Sequence, residues 1–460
     1  MKPWMLSELK EILQCPIPCE AEITCVSTDT RDLPEGCLFV ALRGARFDGH
    51  NFVKQAIEAG AVAAVTEYPI ADCPCLVVKD TGRALLRIAG FYRHKFSPVL
   101  VGITGSVGKT TTKEMIACVL ESQFCTLKTQ GNLNNEIGLP KTLLQLEDSH
   151  EAAVIEMGMS HFGEISRLSR TAQPSMGVIT NIGYSHIENL KTQEGILQAK
   201  LEIQDGMAPD APLVVNGDDA LLAPLKRDLS RPVVTYGMQS PKADVRAVDI
   251  VRKAQSTEFF ILAQDGEKYP VVLPCAGDHN VMNALAAFCV GRLAGIAPEQ
   301  ICRALGQYQT VGLRQNIYRR GAYTIIADCY NASPDSMKAA LTVLHDLPCK
   351  GRRVAVLGDM LELGEMSRQL HTLVGEMAAA SEVDALFCFG KESFYLAQRA
   401  AMQEVSVYHT EDRRELCRVI RQYLRPDDVV LFKASRGMHL EDCIDVIFEQ
   451  EEDAEDAVLD

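Results

Sequence analysis

Apolar residues along this chain fall into short continuous runs and longer helical stripes, and their alternation predicts the elements. Over residues 1–97, apolar runs at 38–42, 61–66 and 76–78 alternate with helical periodicity at 50–59 and 81–96, the pattern of a small α/β unit. The first 14 residues read as an amphipathic helix carrying Glu8, Lys10 and Glu11, not as an apolar export leader. After Ser97-Pro98 an apolar run at 99–103 enters a glycine-rich turn and then a helix, and further apolar runs follow at 152–156, 177–181 and 213–216. Runs without polar alternation suit strands buried on both faces, so residues 98–312 are expected to hold a parallel sheet covered by helices.

Runs rich in β-formers at 243–251, 257–263 and 269–273, split by Gln255-Ser256 and Asp265-Gly266, predict an antiparallel meander attached to that unit. Helices at 280–293 and 298–308 close it. Residues 313–460 carry five apolar runs (324–328, 354–357, 385–389, 405–408 and 429–433), each followed by a helical stretch, which is a doubly wound, Rossmann-like pattern. The predicted class is therefore α/β in three domains, with an acidic tail, EQEEDAEDAVLD, expected to be disordered.

Composition narrows the function. Hydrophobic residues make up 47% and charged residues 23%, and no apolar run approaches the roughly 20 residues that span a bilayer. A net charge of −15 argues against nucleic acid as a partner. The 16 cysteines lack CxxC spacing, so they are expected to be buried and reduced, in a cytoplasmic protein.

The strongest chemical signal is VGITGSVGKTTTKEM at 101–115, a glycine-rich turn between a strand and a helix. Such a turn aims the backbone amides of Gly105, Ser106, Val107 and Gly108 at a phosphate chain, Lys109 adds a point charge, and the hydroxyls of Thr110 and Thr111 stand beside it, Thr110 being suited to Mg²⁺. Ile103 occupies the first glycine position of the strict Walker pattern, so this is a variant. Glu156 ends the next strand at the edge where parallel sheets bind ligands, and can hold Mg²⁺ opposite the threonine or stand solvated. His186, in the SHIE run after another strand, is at the same edge; a lone histidine is more often structural, but this position favours a metal ligand. Lys200, within GILQAKLEI, reads by itself as a solvated lysine, while Asn280 and Asn283 can either meet a purine edge or cap their helix.

In order along the chain, GITGSVGKTTTKEM, the Gly131-Asn132-Leu133-Asn134-Asn135 run with Gly138 and Pro140, Glu156-Met157-Gly158, TNIGYSHIE and HNVMNALAA resemble the Mur ligases, ATP-dependent amide-forming enzymes of peptidoglycan synthesis. The run Asp328-Cys329-Tyr330-Asn331-Ala332-Ser333-Pro334, with LGDMLELG at 357–364, resembles the branch of that family that adds D-alanyl-D-alanine to UDP-N-acetylmuramoyl-tripeptide. Lys191-Thr192 replaces a pair of small residues in the family pattern, and Ser333 stands where Asn is frequent. The DNPR signature of the sibling that adds the third amino acid is absent.

The resemblance implies activation of a carboxylate as an acyl phosphate by ATP with two Mg²⁺ sites. One would be held by Thr110 and Glu156, the second by His186 and a carbamylated Lys200, with Lys109 on the nucleotide phosphates. It further implies that Asn280 and Asn283 contact adenine, that Arg314 meets the nucleotide, and that Asp328, Tyr330 and Asn331 close over it. Ser27, Thr28, Arg31, Gly44, Asp48, Gly49 and His50 become the UDP candidates, Asn135 a further substrate contact, and Lys433, Ser435 and Arg436 candidates for the dipeptide carboxylate. A monomer is expected. A folylpolyglutamate synthase would share the ligase core without the first 97 residues, and a P-loop regulatory ATPase would leave His186 and DCYNASP without a task.

Overall fold

The first strand after Ser97-Pro98, Val99–Thr104, is buried on both faces and forms the centre of the molecule. In this computed structural model, which describes residues 1–44, 47–253, 255–310 and 316–448, it pairs in parallel with Ala152–Glu156 on one side and Met176–Ile179 on the other. Leu213–Asn216 and Val233–Gly237 extend the sheet in parallel, and Thr126–Lys128 forms its far edge. The sequence pattern did not announce those last two. Thr126–Lys128 is only three residues long, and Val233–Gly237 begins half-buried.

The meander at Val245–Arg252, Thr257–Leu262 and Lys268–Leu273 is not a separate attachment. Its first strand pairs in parallel with Val233–Gly237, making one continuous sheet of nine strands. The long helix Asp278–Leu293, apolar on nearly every side, lies buried against the helix Lys109–Glu121.

Four short parallel strands, Cys25–Ser27, Cys37–Val40, Ala63–Thr66 and Cys75–Val77, make the sheet of the N-terminal unit. The expected N-terminal helix is reduced to a turn at Leu6–Glu8 and the helix Leu9–Leu13, because Trp4–Met5 pairs as a strand with Glu22–Ile23. Buried Trp4 is held there between Phe91 and Tyr92. Helix Thr81–Arg93 ties this unit to the central one: Tyr92 donates its hydroxyl to the Leu146 carbonyl over 2.8 Å, and Arg93 donates Nε to the Ala172 carbonyl over 2.7 Å.

The third sheet places Tyr323–Asp328, Val429–Lys433, Arg353–Gly358, Ala385–Phe389 and Ser406–Thr410 side by side and parallel. Asn316–Arg320 adds an antiparallel edge to it. One apolar cluster, from Trp4 through Leu100 and Ile182 to Leu363 and Leu431, runs through all three sheets' surroundings.

Among the described residues no helix is long and apolar enough to cross a membrane. Arg314 and the acidic tail lie outside the described residues. Cys25 and Cys37 stand at facing register positions of neighbouring strands with their sulfurs against each other. Elsewhere burial pushes the thiols of Cys275, Cys302 and Cys329 up to about 12, which keeps them protonated and unreactive.

Candidate functional site

A cavity of about 810 Å³ opens at the C-terminal edge of the central sheet. Ser106, Val107, Gly108, Lys109 and Thr111 form its floor. The turn is so tight that a Cβ at Gly105 would stand 1.8 Å from Thr180 Oγ1. Asn181 fixes the loop: its backbone carbonyl accepts the Ser106 amide over 3.1 Å, and its side-chain Oδ1 accepts the Val107 amide over 3.0 Å. These two amides, expected from the sequence to face a phosphate, are thus engaged within the protein. The first-turn amides of Lys109, Thr110 and Thr111 remain for an anion, because helix geometry gives them no intrahelical partner. Lys109 Nζ folds back onto the Gly105 and Ser106 carbonyls at 2.8 and 3.3 Å.

Glu156 is not a solvated strand end. Its carboxylate is 1% exposed, with Oε2 accepting from Thr110 Oγ1 and Oε1 from Asn134 Nδ2, each over 2.8 Å. Its backbone amide donates to Thr129 Oγ1, while the buried Lys113 ammonium holds the Thr129 carbonyl at 2.6 Å. A hydroxyl and a carboxylate held together are the hard oxygen donors that Mg²⁺ prefers.

His186 borders the same cavity, with its Nδ1 2.6 Å from Glu362 Oε2 of the third unit, close but not aligned as a good hydrogen bond. The imidazole beside it holds the Glu362 carboxyl below the usual range. Lys200 overturns the solvated reading: it is 2% exposed, on a helix, Gln193–Leu201, that Thr192 caps by accepting the Gly195 amide. Burial first, then the charge of Lys109, pushes its ammonium well below the ordinary lysine range. Among the described residues no carboxylate lies within ion-pair distance of it.

Asn280 and Asn283 line the cavity, and neither is the N-cap of its helix, which is Gly277. Asn280 donates to the Ala276 carbonyl, and Asn283 Oδ1 accepts from Thr112 Oγ1 at 2.9 Å, fastening this helix to the glycine-loop helix. Asn135 also lines the cavity, its Oδ1 accepting the Ile137 and Gly138 amides.

The third unit supplies the opposite wall: Asp328, Tyr330, Asn331 and Lys433. Lys433 is 1% exposed and committed to Asp328 Oδ2 at 2.7 Å and the Asn331 carbonyl at 2.9 Å. Ser435 and Arg436 are not brought to this cavity. Ser435 Oγ accepts the Leu361 amide, and Arg436 pairs with Glu441. Ser333, the departure from the family pattern, caps the helix Pro334–Asp346.

The candidates of residues 1–97 gather elsewhere, at the C-terminal ends of their own strands. Asp48 caps the turn Gly49–Phe52 and lies 2.6 Å from His50 Nδ1. His50 Nε2 accepts the Glu67 amide over 2.9 Å, so both ring nitrogens are engaged inside the fold and the buried ring braces this turn. Gly49 packs against Leu42, where a Cβ would meet the carbonyl oxygen at 2.8 Å. Ser27 Oγ donates to the Asp29 carbonyl, and exposed Arg31 pairs with the Asp29 carboxylate. Thr28 is half-buried and Gly44 exposed.

Sequence reasoning missed Asn134 as the second anchor of Glu156, though it lies in the Gly131–Asn135 run. It also missed Asp335, whose carboxyl burial pushes up where it meets the Tyr184 amide, as well as Glu362. His279, which opens the HNVMNALAA run, and Tyr308 are further cavity residues.

Family models match along the chain: the Mur ligase family catalytic domain at residues 22–80, the Mur ligase middle domain at 103–291 and the Mur ligase glutamate ligase domain at 313–436. The UDP-N-acetylmuramoyl-tripeptide--D-alanyl-D-alanine ligase of Bacillus subtilis (strain 168) is 40% identical over 431 residues, covering 92% of this chain and 93% of that protein. A crystal structure of MurF from Acinetobacter baumannii superposes with a TM-score of 0.92 at 34% identity, covering 98% of this chain and 100% of that one. MurF ligase from Thermotoga maritima in complex with ADP gives a TM-score of 0.84 at 30% identity, covering 93% and 98%.

Proposed function

The chain belongs to the Mur ligase family, and from that premise we propose that it joins D-alanyl-D-alanine to UDP-N-acetylmuramoyl-tripeptide, converting ATP to ADP and phosphate, in peptidoglycan precursor synthesis. The observation that carries the reading is the single cavity in which the glycine loop and Glu156 face Asp328, Tyr330 and Asn331 of the third unit. Residues 1–97 bind the UDP moiety, residues 98–312 hold ATP, and residues 313–460 bring the dipeptide and complete the nucleotide site.

Amide formation from a free carboxylate is uphill in water, so the tripeptide carboxylate first takes the γ-phosphoryl group as an acyl phosphate. The amides at the start of the helix Lys109–Glu121 and the Lys109 ammonium neutralise the charge that builds on the transferring group. Asn280 and Asn283 flank the base, and the family resemblance adds Arg314 as a nucleotide contact. The neutral amine of the dipeptide then attacks the acyl carbon, and the tetrahedral intermediate expels phosphate. Lys433, paired with Asp328 in the cavity wall, receives the dipeptide carboxylate, with Ser435 and Arg436 following it on the same strand end.

The residues present fit Mg²⁺: Thr110 and Glu156 would hold one ion, His186 and Lys200 a second. The metal supplies Lewis-acid neutralisation of phosphoryl charge. Lys200 suits this role as a carbamate. Its uncharged amine forms an N–C bond to CO₂ and loses a proton, leaving an anion in place of an ammonium. A cytoplasmic location, where ATP and UDP-linked precursors are made, and a monomeric state belong to the same proposal.

Phosphate release measured with ATP and each substrate alone and together tests it. Release that requires both the UDP-muramoyl tripeptide and D-alanyl-D-alanine is expected. Release independent of either would favour a regulatory ATPase instead.

A further inference from the structure

The LGDMLELG segment contributes one residue to the cavity region that the reaction above does not use. Glu362 holds φ +63°, in the left-handed region that a non-glycine residue keeps only where its surroundings enforce it. Across the seam His186 holds φ +64°. The two strained residues meet side chain to side chain, Nδ1 to Oε2 at 2.6 Å. Their backbones meet as well, for the Glu188 amide approaches the Glu362 carbonyl at 3.4 Å. Two residues on, Gly364 packs so closely that a Cβ there would stand 2.9 Å from Glu188 Cγ. Core packing does not account for the strain, since the Glu362 side chain is 57% exposed. Nor does the ion pair alone, because half-exposed pairs contribute little to stability.

What the contact bears on is the imidazole. A ring whose Nδ1 is taken up by a carboxylate keeps Nε2 as its lone-pair donor, and such outer partners set tautomer and ring plane in metal sites. We infer that Glu362 is a positioning residue, contributed by the third unit, that orients His186 for cation binding and so makes metal ligation in the central unit conditional on docking of the third. This rests on reading His186 as a metal ligand. The short but poorly aligned approach suits a contact that tightens when ligands bind.

The full-length protein with Glu362→Ala, Glu362→Gln and His186→Ala separates the possibilities. Mn²⁺ binding in the presence of a non-hydrolysable ATP analogue, followed by electron paramagnetic resonance, is the direct readout. The Mg²⁺ half-saturation of phosphate release is the second. Glu362→Ala is expected to weaken the second Mn²⁺ about tenfold and to raise the Mg²⁺ half-saturation by a similar factor, with kcat recovered at high Mg²⁺ and KM for the UDP substrate unmoved. Glu362→Gln, which can still accept from Nδ1, should fall between. In the His186→Ala background Glu362→Ala should add nothing. Wild-type Mn²⁺ affinity in Glu362→Ala, alongside a loss in His186→Ala, overturns the positioning role alone. No loss in His186→Ala overturns the metal-ligand reading beneath it. Should Glu362→Ala fail to fold, Glu362→Gln decides: wild-type binding and Mg²⁺ dependence in that variant would sink the proposal.

Discussion

The Thr110 hydroxyl donates to Glu156 Oε2 across 2.8 Å, so one hydrogen bond ties the glycine-loop helix to the end of the neighbouring parallel strand. Asn134 holds the other carboxylate oxygen, which leaves Glu156 one orientation. Asn134→Ala should therefore raise the Mg²⁺ half-saturation about tenfold while kcat recovers at high Mg²⁺. An equal loss of turnover at every Mg²⁺ concentration would mean that Asn134 acts elsewhere.

Lys109→Ala should lower the rate of acyl-phosphate formation by about 10² to 10³, the usual loss for one preorganised charge at a transferring group. Calorimetric binding of the UDP substrate, which uses distant residues, should change by less than about twofold. Binding and turnover falling together would contradict the proposed division between the units.

Lys200 makes a prediction about stability as well as rate. Its ammonium is disfavoured in the fold, so between the depressed folded value and the ordinary lysine value the unfolded chain binds one more proton, and stability rises with pH across that window. Lys200→Met should remove that slope and, in bicarbonate-free buffer at neutral pH, stabilise the protein by about 1 to 2 kcal/mol while abolishing activity. In Lys200→Ala, acetate but not chloride should restore part of the turnover by supplying carboxylate oxygens. A near-normal Lys200→Ala enzyme with no response to acetate would return this residue to a structural role.

Asp428 governs the acid limb of the third unit. Burial pushes its carboxyl up, but the Arg352 guanidinium and the Arg425 and Arg352 amides outweigh that and leave it below the usual range. Its contribution is therefore complete above the unfolded carboxylate value and is lost as pH falls through the lower, folded one. Asp428→Asn should cost about 3 kcal/mol at pH 7, much less near pH 2, as measured by denaturant unfolding. A cost independent of pH would assign the effect to packing.

The glycine loop, Glu156 and the buried strands that carry them were legible because each is local: a buried strand, a turn that only glycine fits, and a carboxylate at a strand's end are each read within one segment. Burial of Lys200 was not, since the amphipathic run GILQAKLEI does not say what packs over its lysine; the site of Lys200 is made by packing of distant chain. The bracing contacts of His50 were hidden for a related reason. Spacing identifies a histidine beside a glycine turn but not that the amide of Glu67, 17 residues on, occupies its second nitrogen. The juxtaposition of Cys25 with Cys37 likewise depends on strand register, and Glu362 acquires a meaning only when His186 is across from it.

The apolar cluster that passes from the central unit into the third, with Ile187 and Leu190 on one side and Leu363 on the other, bears on how the protein responds to temperature. Swinging the third unit away would wet part of that surface, and newly hydrated apolar surface raises heat capacity. The balance between docked and undocked forms should then follow a curved, not linear, van't Hoff plot. Cooling would loosen the seam along with warming, and the substrate-free enzyme would have a temperature at which its third unit is held most tightly.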